Sequence, residues 1–211
     1  VAGMLTALDK YGTITRERAL RPAIDLAEYG FRVDEYLHRS LVNLKGRMES
    51  CPASMAAFYK DGGEPYEVGE LFRQPDLART LKLISRNGAD AFYKGEIAEL
   101  IAADMARHGG LITKDDLAAY EPVIRTPVTG TYRGHEIHSM PPPSSGGVHV
   151  VQMLNILEAW PLGAWGHNRA KTVHVMAEAM RRAYADRSEY LGDPDYYDVP
   201  VDGLTSKDYA A

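Results

Sequence analysis

The sequence predicts an α+β fold that is mostly helical and carries one short pair of β-strands. Apolar residues recur at helical spacing through the first half of the chain and again after residue 144. Residues 127–139 instead place β-branched and aromatic residues on both sides of an Arg-Gly turn. With 45% hydrophobic and 25% charged residues, the 211-residue chain has the balance of a globular protein that buries a core.

Composition excludes several classes of protein. The chain has 24 Lys and Arg against 29 Asp and Glu, a net charge of −5, which argues against a nucleic-acid partner. No apolar run reaches the roughly 18 residues that a membrane span requires. A single cysteine, Cys51, excludes an intrachain disulfide and the metal sites that need paired cysteines.

The first elements predicted are helices. Gly3–Lys10 has helical spacing, and Thr13 or Thr15 can cap the helix that follows. Pro22 would clash with an earlier turn, so the sequence favours a short turn and then a helix over Ala23–Tyr29. Gly30 is expected to end that helix in the left-handed conformation.

The middle of the first half contains a weaker pattern. Asp34–Leu44 is predicted as a helix whose buried side carries Tyr36, Leu37, Leu41 and Leu44. A small hairpin is predicted next, with strands over Ala57–Lys60 and Tyr66–Val68 and a turn over residues 61–64.

Three further helices complete the first half. Pro75 opens one that runs to Arg86, and Ala89–His108 is predicted as a single amphipathic helix stopped by Gly109-Gly110. Thr113 and Asp116 fit a capping box for a helix over Asp115–Tyr120.

The residue pattern changes in the second half of the chain, where strand and extended patterns precede the next helices. Pro127–Ser139 predicts two short strands, Pro141–Pro143 an extended segment, and Val148–Trp160 an apolar helix. A long helix follows over Ala170–Tyr190, and Thr205 is placed to cap residues 206–211. No repeat or linker appears, so residues 1–211 are predicted to be a single segment. Helical patterns at both ends predict that it is cut from a longer protein.

Three motifs invite a catalytic or metal-binding interpretation. Residues 144–147, Ser-Ser-Gly-Gly, lack the pattern of a nucleophile elbow, so a serine that caps the next helix is favoured over an anion site. His135 and His138 are three apart in a predicted strand and point to opposite faces, which argues against one shared zinc ion. Residues 193–198 lack the spacing of a calcium loop and predict a helix-ending turn.

The long helix carries two rows of side chains. The apolar stripe, defined as Val173, Met176, Ala177, Met180 and Tyr184, is expected to pack against the rest of the fold. The charged row lies beside it, at steps of four, and consists of His174, Glu178, Arg182 and Asp186. It predicts either a solvated ladder of ion pairs or a buried charge network that clamps the helix to a partner chain. Thr172 lies at the start of this helix and has no cue for self-cleavage, so it is not predicted as a nucleophile.

Longer strings of residues are similar to the gamma-glutamyltransferase family. The resemblance runs from end to end in the same order, and its segments are Leu8–Thr13, Ala91–Gly95, Gly109–Tyr120, Met140–His149, Val151–Glu158 and Tyr184–Asp195. The string Met-Pro-Pro-Pro-Ser-Ser-Gly-Gly at residues 140–147 is part of it.

The resemblance implies an N-terminal-nucleophile hydrolase with an αββα sandwich, of which this chain would be the later part of the large chain. Family precursors cut themselves into a large and a small chain that stay together. The new N-terminal threonine of the small chain attacks the γ-glutamyl amide of glutathione or a related compound. Water, an amino acid or a peptide then accepts the acyl group. The chemistry requires no metal or cofactor, and the family implies a periplasmic or secreted location.

The resemblance assigns no catalytic, cofactor-binding or metal-binding residue to this chain. The nucleophile and the oxyanion-hole glycines belong to the small chain, and the arginine that binds the substrate carboxylate lies upstream of Val1. The chain is therefore expected to act as scaffold. Two alternatives stay open, namely a related acylase (a cephalosporin acylase or a poly-gamma-glutamate-processing enzyme) and a non-catalytic helical interaction module.

Overall fold

Helices dominate the structure, a computed structural model that describes every residue from Val1 to Ala211. Thirteen helices accompany two antiparallel pairs of strands, so the predicted α+β class is confirmed. The chain divides into two units, residues 1–123 and 124–211. None of the helices combines the length and the apolar character that crossing a membrane requires. The placement of residues 1–211 as a single segment of a longer chain stays a prediction.

The first unit contains eight helices around a small apolar core. These are α1 (Ala2–Tyr11), α2 (Arg16–Tyr29), α3 (Glu35–Met48), α4 (Pro52–Phe58), α5 (Pro75–Asn87), α6 (Ala89–Tyr93), α7 (Glu96–His108) and α8 (Lys114–Ala119). Ile84, Ala91 and Ile97, from α5, α6 and α7, form the buried centre of this core, and Leu5 and Leu20 pack against it.

The predicted break at Pro22 is wrong, because α2 runs unbroken through it. Proline removes one backbone hydrogen bond, but the helix is held on both sides of it. Leu20 packs on the core before the proline, and Ile24 is buried after it. Thr15 is the N-cap, as one of the two predicted threonines. Gly30 ends the helix with φ 85° and ψ 173°, which is not the predicted left-handed conformation.

The predicted hairpin is also wrong. Residues 52–58 form α4, and only a turn remains, in which the Lys60 N–H donates to Glu64 O at 2.9 Å. The strands of this unit are instead β1 (Phe31–Arg32) and β2 (Leu71–Phe72). They pair antiparallel, although some forty residues of the chain separate them. Helix α3 extends beyond the predicted end, and its predicted apolar side is only partly buried.

The exposed fractions of the α3 side chains show where the predicted buried side of this helix is wrong. Leu41 is buried as expected, whereas Tyr36 is 80% exposed and Leu44 is 41% exposed. Asp34 caps the helix through a hydrogen bond from the Leu37 N–H at 2.8 Å. Asp34 therefore fixes the start of the helix, and Leu41 lies on its buried side.

The single helix predicted over Ala89–His108 is interrupted at Lys94-Gly95. The Gly95 N–H donates to Asp90 O, which closes α6, and α7 begins at the next residue. Gly109 ends α7 as predicted, and it does so in the left-handed conformation, with φ 72° and ψ 22°. The capping box of Thr113 and Asp116 is confirmed at the start of α8.

The second unit is built around one apolar helix. Its elements are β3 (Val128–Tyr132), β4 (His135–Ser139), α9 (Ser145–Glu158), α10 (Leu162–Trp165), α11 (Ala170–Tyr190), α12 (Val201–Leu204) and α13 (Lys207–Ala210). The strand pair is confirmed, with Val128 opposite Ser139 and Gly130 opposite Ile137. The long helix has the predicted bounds.

Helix α9 contacts β3 and α12 through the buried centre of this unit. Val148 and Val151 of α9 meet Val128 of β3 and Leu204 of α12 there. Gly130 lets the strand approach the helix closely, since a Cβ at that position would lie 2.5 Å from Val151 Cγ1. The core thus fixes the strand pair and the chain after α11 against one helix.

The segment before α9 is a turn and not the predicted extended run. The Pro142–Pro143 peptide bond is cis, and the Ser144 N–H donates to Pro141 O at 3.2 Å. A later prediction also needs correction, because the cap of α13 is Ser206 and not Thr205. Thr205 instead bonds back to Val201 O and ends α12.

Candidate functional site

A connected set of polar side chains runs from the interior of α9 to α13. Gln152 is 2% exposed and donates from Nε2 to Asp186 Oδ2 of α11. His149 Nδ1 lies 3.0 Å from Gln152 Oε1. The Tyr209 hydroxyl of α13 donates to Asp186 at 3.1 Å from Oδ1 and 3.2 Å from Oδ2. These four residues are the α9 polar network.

Hydrogen bonding fixes the proton positions in the α9 polar network. Because the Gln152 amide nitrogen donates to Asp186, its oxygen faces His149, whose Nδ1 must carry the hydrogen. His149 Nε2 is buried without a partner. The pKa of the Tyr209 hydroxyl is raised, first by desolvation and then by its bond to Asp186, so the hydroxyl stays a donor.

A cleft of about 620 Å³ opens beside the network. Its walls are formed by α9, the residues after it, α11 and the end of the chain: Gln152, Ile156, Ala159, Trp160, Arg181, Arg182, Ala185, Asp186, Tyr209, Ala210 and Ala211. The only hydroxyl in the lining belongs to Tyr209, which is already bonded to Asp186. The Tyr209 hydroxyl thus holds α13 against α11.

The predicted ladder of ion pairs on α11 does not form as expected. Glu178 pairs with Arg181 at 2.7 Å and not with Arg182. Asp186 bonds to Gln152 and Tyr209, so its predicted pair with Arg182 is absent as well. The bond from Arg181 lowers the pKa of the Glu178 carboxyl. The outer part of the charged row is therefore solvated, whereas Asp186 belongs to the α9 polar network.

The apolar stripe of α11 is exposed in this chain. Val173 is 50%, Met180 46% and Tyr184 62% exposed, while Thr172, Ala179 and Ala183 form the buried side. At 100° per residue, that buried side lies about a quarter turn from the stripe. Small residues there allow α11 to approach α9 closely. The stripe does not pack within residues 1–211, so its packing against the rest of the fold stays a prediction.

Glu178→Ala is expected to leave the stability of the full-length protein nearly unchanged. The carboxylate forms one surface ion pair with Arg181, and such pairs contribute little in water. Urea unfolding of the full-length protein, followed by far-UV circular dichroism, measures the effect. A large fall in the midpoint would instead favour the buried charge clamp.

The serine and histidine motifs keep their structural interpretation. Ser144 caps α9, since its Oγ accepts from the Gly146 N–H at 3.3 Å. His135 lies opposite Tyr132 and His138 opposite Thr129, and both histidines are exposed. No group of three or more His, Cys, Asp and Glu side chains has the geometry to hold a metal ion.

The turn at residues 193–198 and Thr172 form local hydrogen bonds and ion pairs. The chain turns after α11, with the Tyr197 N–H donating to Asp193 O at 2.9 Å, so the predicted helix-ending turn is confirmed. Asp195 of that turn pairs with Arg125 at 2.7 Å. The Thr172 hydroxyl donates to Gly166 O at 3.1 Å within the start of α11.

Sequence reasoning missed the α9 polar network. One signal was present, because His149, Gln152 and Asn155 interrupt an otherwise apolar helix at steps of three, which places them along one side of it. Gln152 bonds to Asp186, which lies 34 residues away, and Asn155 to Thr205, which lies 50 residues away, so no local pattern identifies these partners.

The comparisons with known proteins agree with one another. The family model described as Gamma-glutamyltranspeptidase matches residues 1–211. The chain is 51% identical over 211 residues to the glutathione hydrolase proenzyme of Escherichia coli K12, covering all of this chain and 36% of that protein. It is 43% identical over 208 residues to the acylase ACY 1 proenzyme of Pseudomonas sp. SE83, covering 99% of this chain and 37% of that protein.

A solved structure extends the likeness to three dimensions. The gamma-glutamyltranspeptidase of Helicobacter pylori matches with a TM-score of 0.97 and 48% identity, over all of this chain and 60% of that chain. The chain thus spans little more than a third of the length of the curated relatives it matches. Because the family model matches from the first residue to the last, and the relatives agree, the chain belongs to the gamma-glutamyltranspeptidase family.

Proposed function

We propose that this chain is the scaffold part of an enzyme that transfers or hydrolyses γ-glutamyl groups of glutathione and related amides. The observation that carries the proposal is 51% identity, over the whole chain, to a glutathione hydrolase proenzyme. A threonine beyond residues 1–211 attacks the γ-glutamyl carbonyl, and the amine leaves as the acyl-enzyme forms. Water or the amine of an amino acid or peptide then takes the acyl group and restores the threonine hydroxyl.

A small chain of the same precursor is the proposed partner, and it carries the threonine. The word proenzyme in the names of the relatives supports a precursor that is processed. Exposed apolar side chains on α11 support a further layer that covers this helix. The role of this chain is then to hold that layer and the cleaved end of the large chain.

The 211-residue chain by itself is expected to have no γ-glutamyl-transfer activity. Its side chains bring together no nucleophile, base and oxyanion hole. Release of nitroaniline from a γ-glutamyl anilide, with and without glycylglycine as acceptor, measures activity in this chain and in the full-length processed protein.

The same assay tests the proposed function. Activity of the full-length protein, lost when the first threonine of its small chain is replaced by alanine, supports the proposal. Turnover by the 211-residue chain above a matched blank would contradict the scaffold role, and an inactive full-length protein that never self-cleaves would favour a non-catalytic module.

A related acylase is the second candidate. The 43% identity to a protein named as an acylase proenzyme favours it, since a similar chain then occurs in a protein with a different named activity. Comparing kcat/KM for a γ-glutamyl anilide with that for an acylated cephalosporin, on one full-length preparation, decides between the two substrates.

A periplasmic or secreted location is proposed from the family resemblance alone. Fractionation of cells that express the full-length gene, with a cytoplasmic enzyme as marker, tests it. Recovery of the protein with the cytoplasmic marker would contradict the proposal.

A further inference from the structure

We propose that Glu158, at the end of α9, is a pH-sensitive switch that holds the tip of the β3–β4 hairpin on this helix. The hairpin tip is defined as residues 131–136. The Glu158 carboxylate accepts a hydrogen bond from the Arg133 N–H of the tip and another from Lys207 of α13. Protonation removes the negative charge from both bonds and releases the tip from α9. The switch consists of residues of this chain alone and is independent of the proposed function.

The turn of the hairpin tip has a backbone conformation that requires support from outside the turn. Arg133 has φ 48° and Gly134 has φ 83°, so both central residues of the turn are left-handed. Glycine adopts this conformation readily, whereas a residue with a Cβ adopts it at a cost and is held there by its surroundings. Asn and Asp, which favour this position, can bond locally through a short side chain, and arginine has no such group. The contacts that Arg133 makes beyond the turn therefore keep it in this conformation.

Arg133 contacts the end of α9 through its backbone and its side chain. Its N–H donates to Glu158 Oε1 at 2.6 Å, and its guanidinium donates to Trp160 O. The guanidinium also lies over the Tyr132 ring, 5.1 Å from the ring centroid. Only the bond to Glu158 has a carboxylate as acceptor, and such charge-assisted bonds are about twice as strong as neutral ones. Protonation of Glu158 therefore weakens the contact that fixes the backbone of the turn.

Lys207 gives the carboxylate a second connection to the hairpin tip. Its Nζ pairs with Glu158 Oε2 and donates to Thr131 O at 2.7 Å. The base of the hairpin is held differently, because Val128 is buried in the core of this unit and Ile137 packs against that core. Loss of the carboxylate charge therefore frees the tip, while the base stays packed on α9.

The cations around Glu158 determine the pH at which the switch operates. The bond from Lys207, and next the bond from the Arg133 N–H, lower the pKa of the Glu158 carboxyl, and both side chains face it as cations. The folded-state pKa is therefore below the ordinary value of a glutamate, so the tip is held at and above that ordinary value. The tip is released as the pH falls through the lowered pKa. Lysine and arginine stay protonated throughout this range, which leaves Glu158 as the one group of the three that titrates.

The test compares backbone hydrogen exchange in the wild type and in Glu158→Gln, on the full-length protein and at a series of pH values. Glutamine keeps the shape of the side chain and has no charge, so it reproduces the protonated state. At neutral pH we expect the hairpin tip to exchange about tenfold faster in the variant, the size typical of removing the charge from a hydrogen bond. As the pH falls, the two rates should become equal. Because the two proteins are compared at each pH, the intrinsic pH dependence of exchange cancels.

Two further variants separate the switch from an ordinary structural contact. Glu178→Gln is the matched control, because the Glu178 carboxyl also has its pKa lowered by an ion pair, and that pair, with Arg181, lies within α11. Its hairpin tip should exchange as in the wild type at every pH. Lys207→Met removes the largest cause of the lowered pKa of Glu158, so the pH of release should move upward. That shift is measured against the same variant carrying Glu158→Gln as well.

Three results would overturn the inference. The first is equal exchange of the hairpin tip in the wild type and Glu158→Gln at neutral pH, and the second is a difference that does not change with pH. The third is faster exchange spread evenly over α9 and α11, which would indicate general destabilisation. None of these measurements involves γ-glutamyl transfer, so the proposed function is tested separately.

Discussion

Gly147→Ala is expected to destabilise the protein by about 3 kcal/mol, or to prevent its folding. Gly147 lies in the first turn of α9, and a Cβ there would be 2.0 Å from Met140 O. The clashing atom belongs to the backbone before the proline turn, so no side chain can rotate away. Relief requires moving either α9 or β4, and α9 carries Val148 and Val151 of the core. The urea midpoint of the full-length enzyme measures the loss.

Gly146→Ala is the matched control, one residue earlier in the same turn. The nearest atom to a Cβ at that position is Ser144 Oγ at 3.4 Å, which is close to ordinary contact. Alanine also favours the helix over glycine, so the control should be neutral or slightly stabilising. Equal midpoints for the two variants would show that the turn before α9 is free to move.

Elements with local signals were predictable from the sequence. The strand pair follows from β-forming residues around one turn, and α11 from helical spacing that ends before Gly192. The capping box at Thr113 depends on residues only three apart. In each case the deciding contacts lie within a few residues of one another.

Elements decided by distant contacts were not predictable. Strands β1 and β2 consist of two residues each and exist only because they pair with each other. Helix α2 continues through Pro22 because α5 and its neighbours hold both sides of the proline. The α9 polar network depends on an aspartate 34 residues after Gln152, so its polar residues alone did not reveal it.

Met180→Asp is expected to cost the full-length enzyme about 3 kcal/mol of stability. In this chain Met180 is 46% exposed, so the loss requires that the rest of the enzyme cover the apolar stripe. The stripe consists of five residues at helical spacing. A carboxylate at Met180, once covered, would lose its hydration and find no partner among these apolar side chains. Urea unfolding of the processed two-chain enzyme measures the effect, together with recovery of the small chain on affinity purification of the large one.

Met180→Leu is the control, because it keeps the volume and apolar character of the side chain and should cost less than about 1.5 kcal/mol. Glu178→Ala, two residues before Met180 and on a different side of the helix, should shift the midpoint least of the three variants. A Met180→Asp enzyme as stable as Glu178→Ala would mean that the stripe faces water in the assembled protein, and α11 would then be an outer surface. Loss of the small chain with Met180→Asp alone would place the stripe at the interface between the two chains.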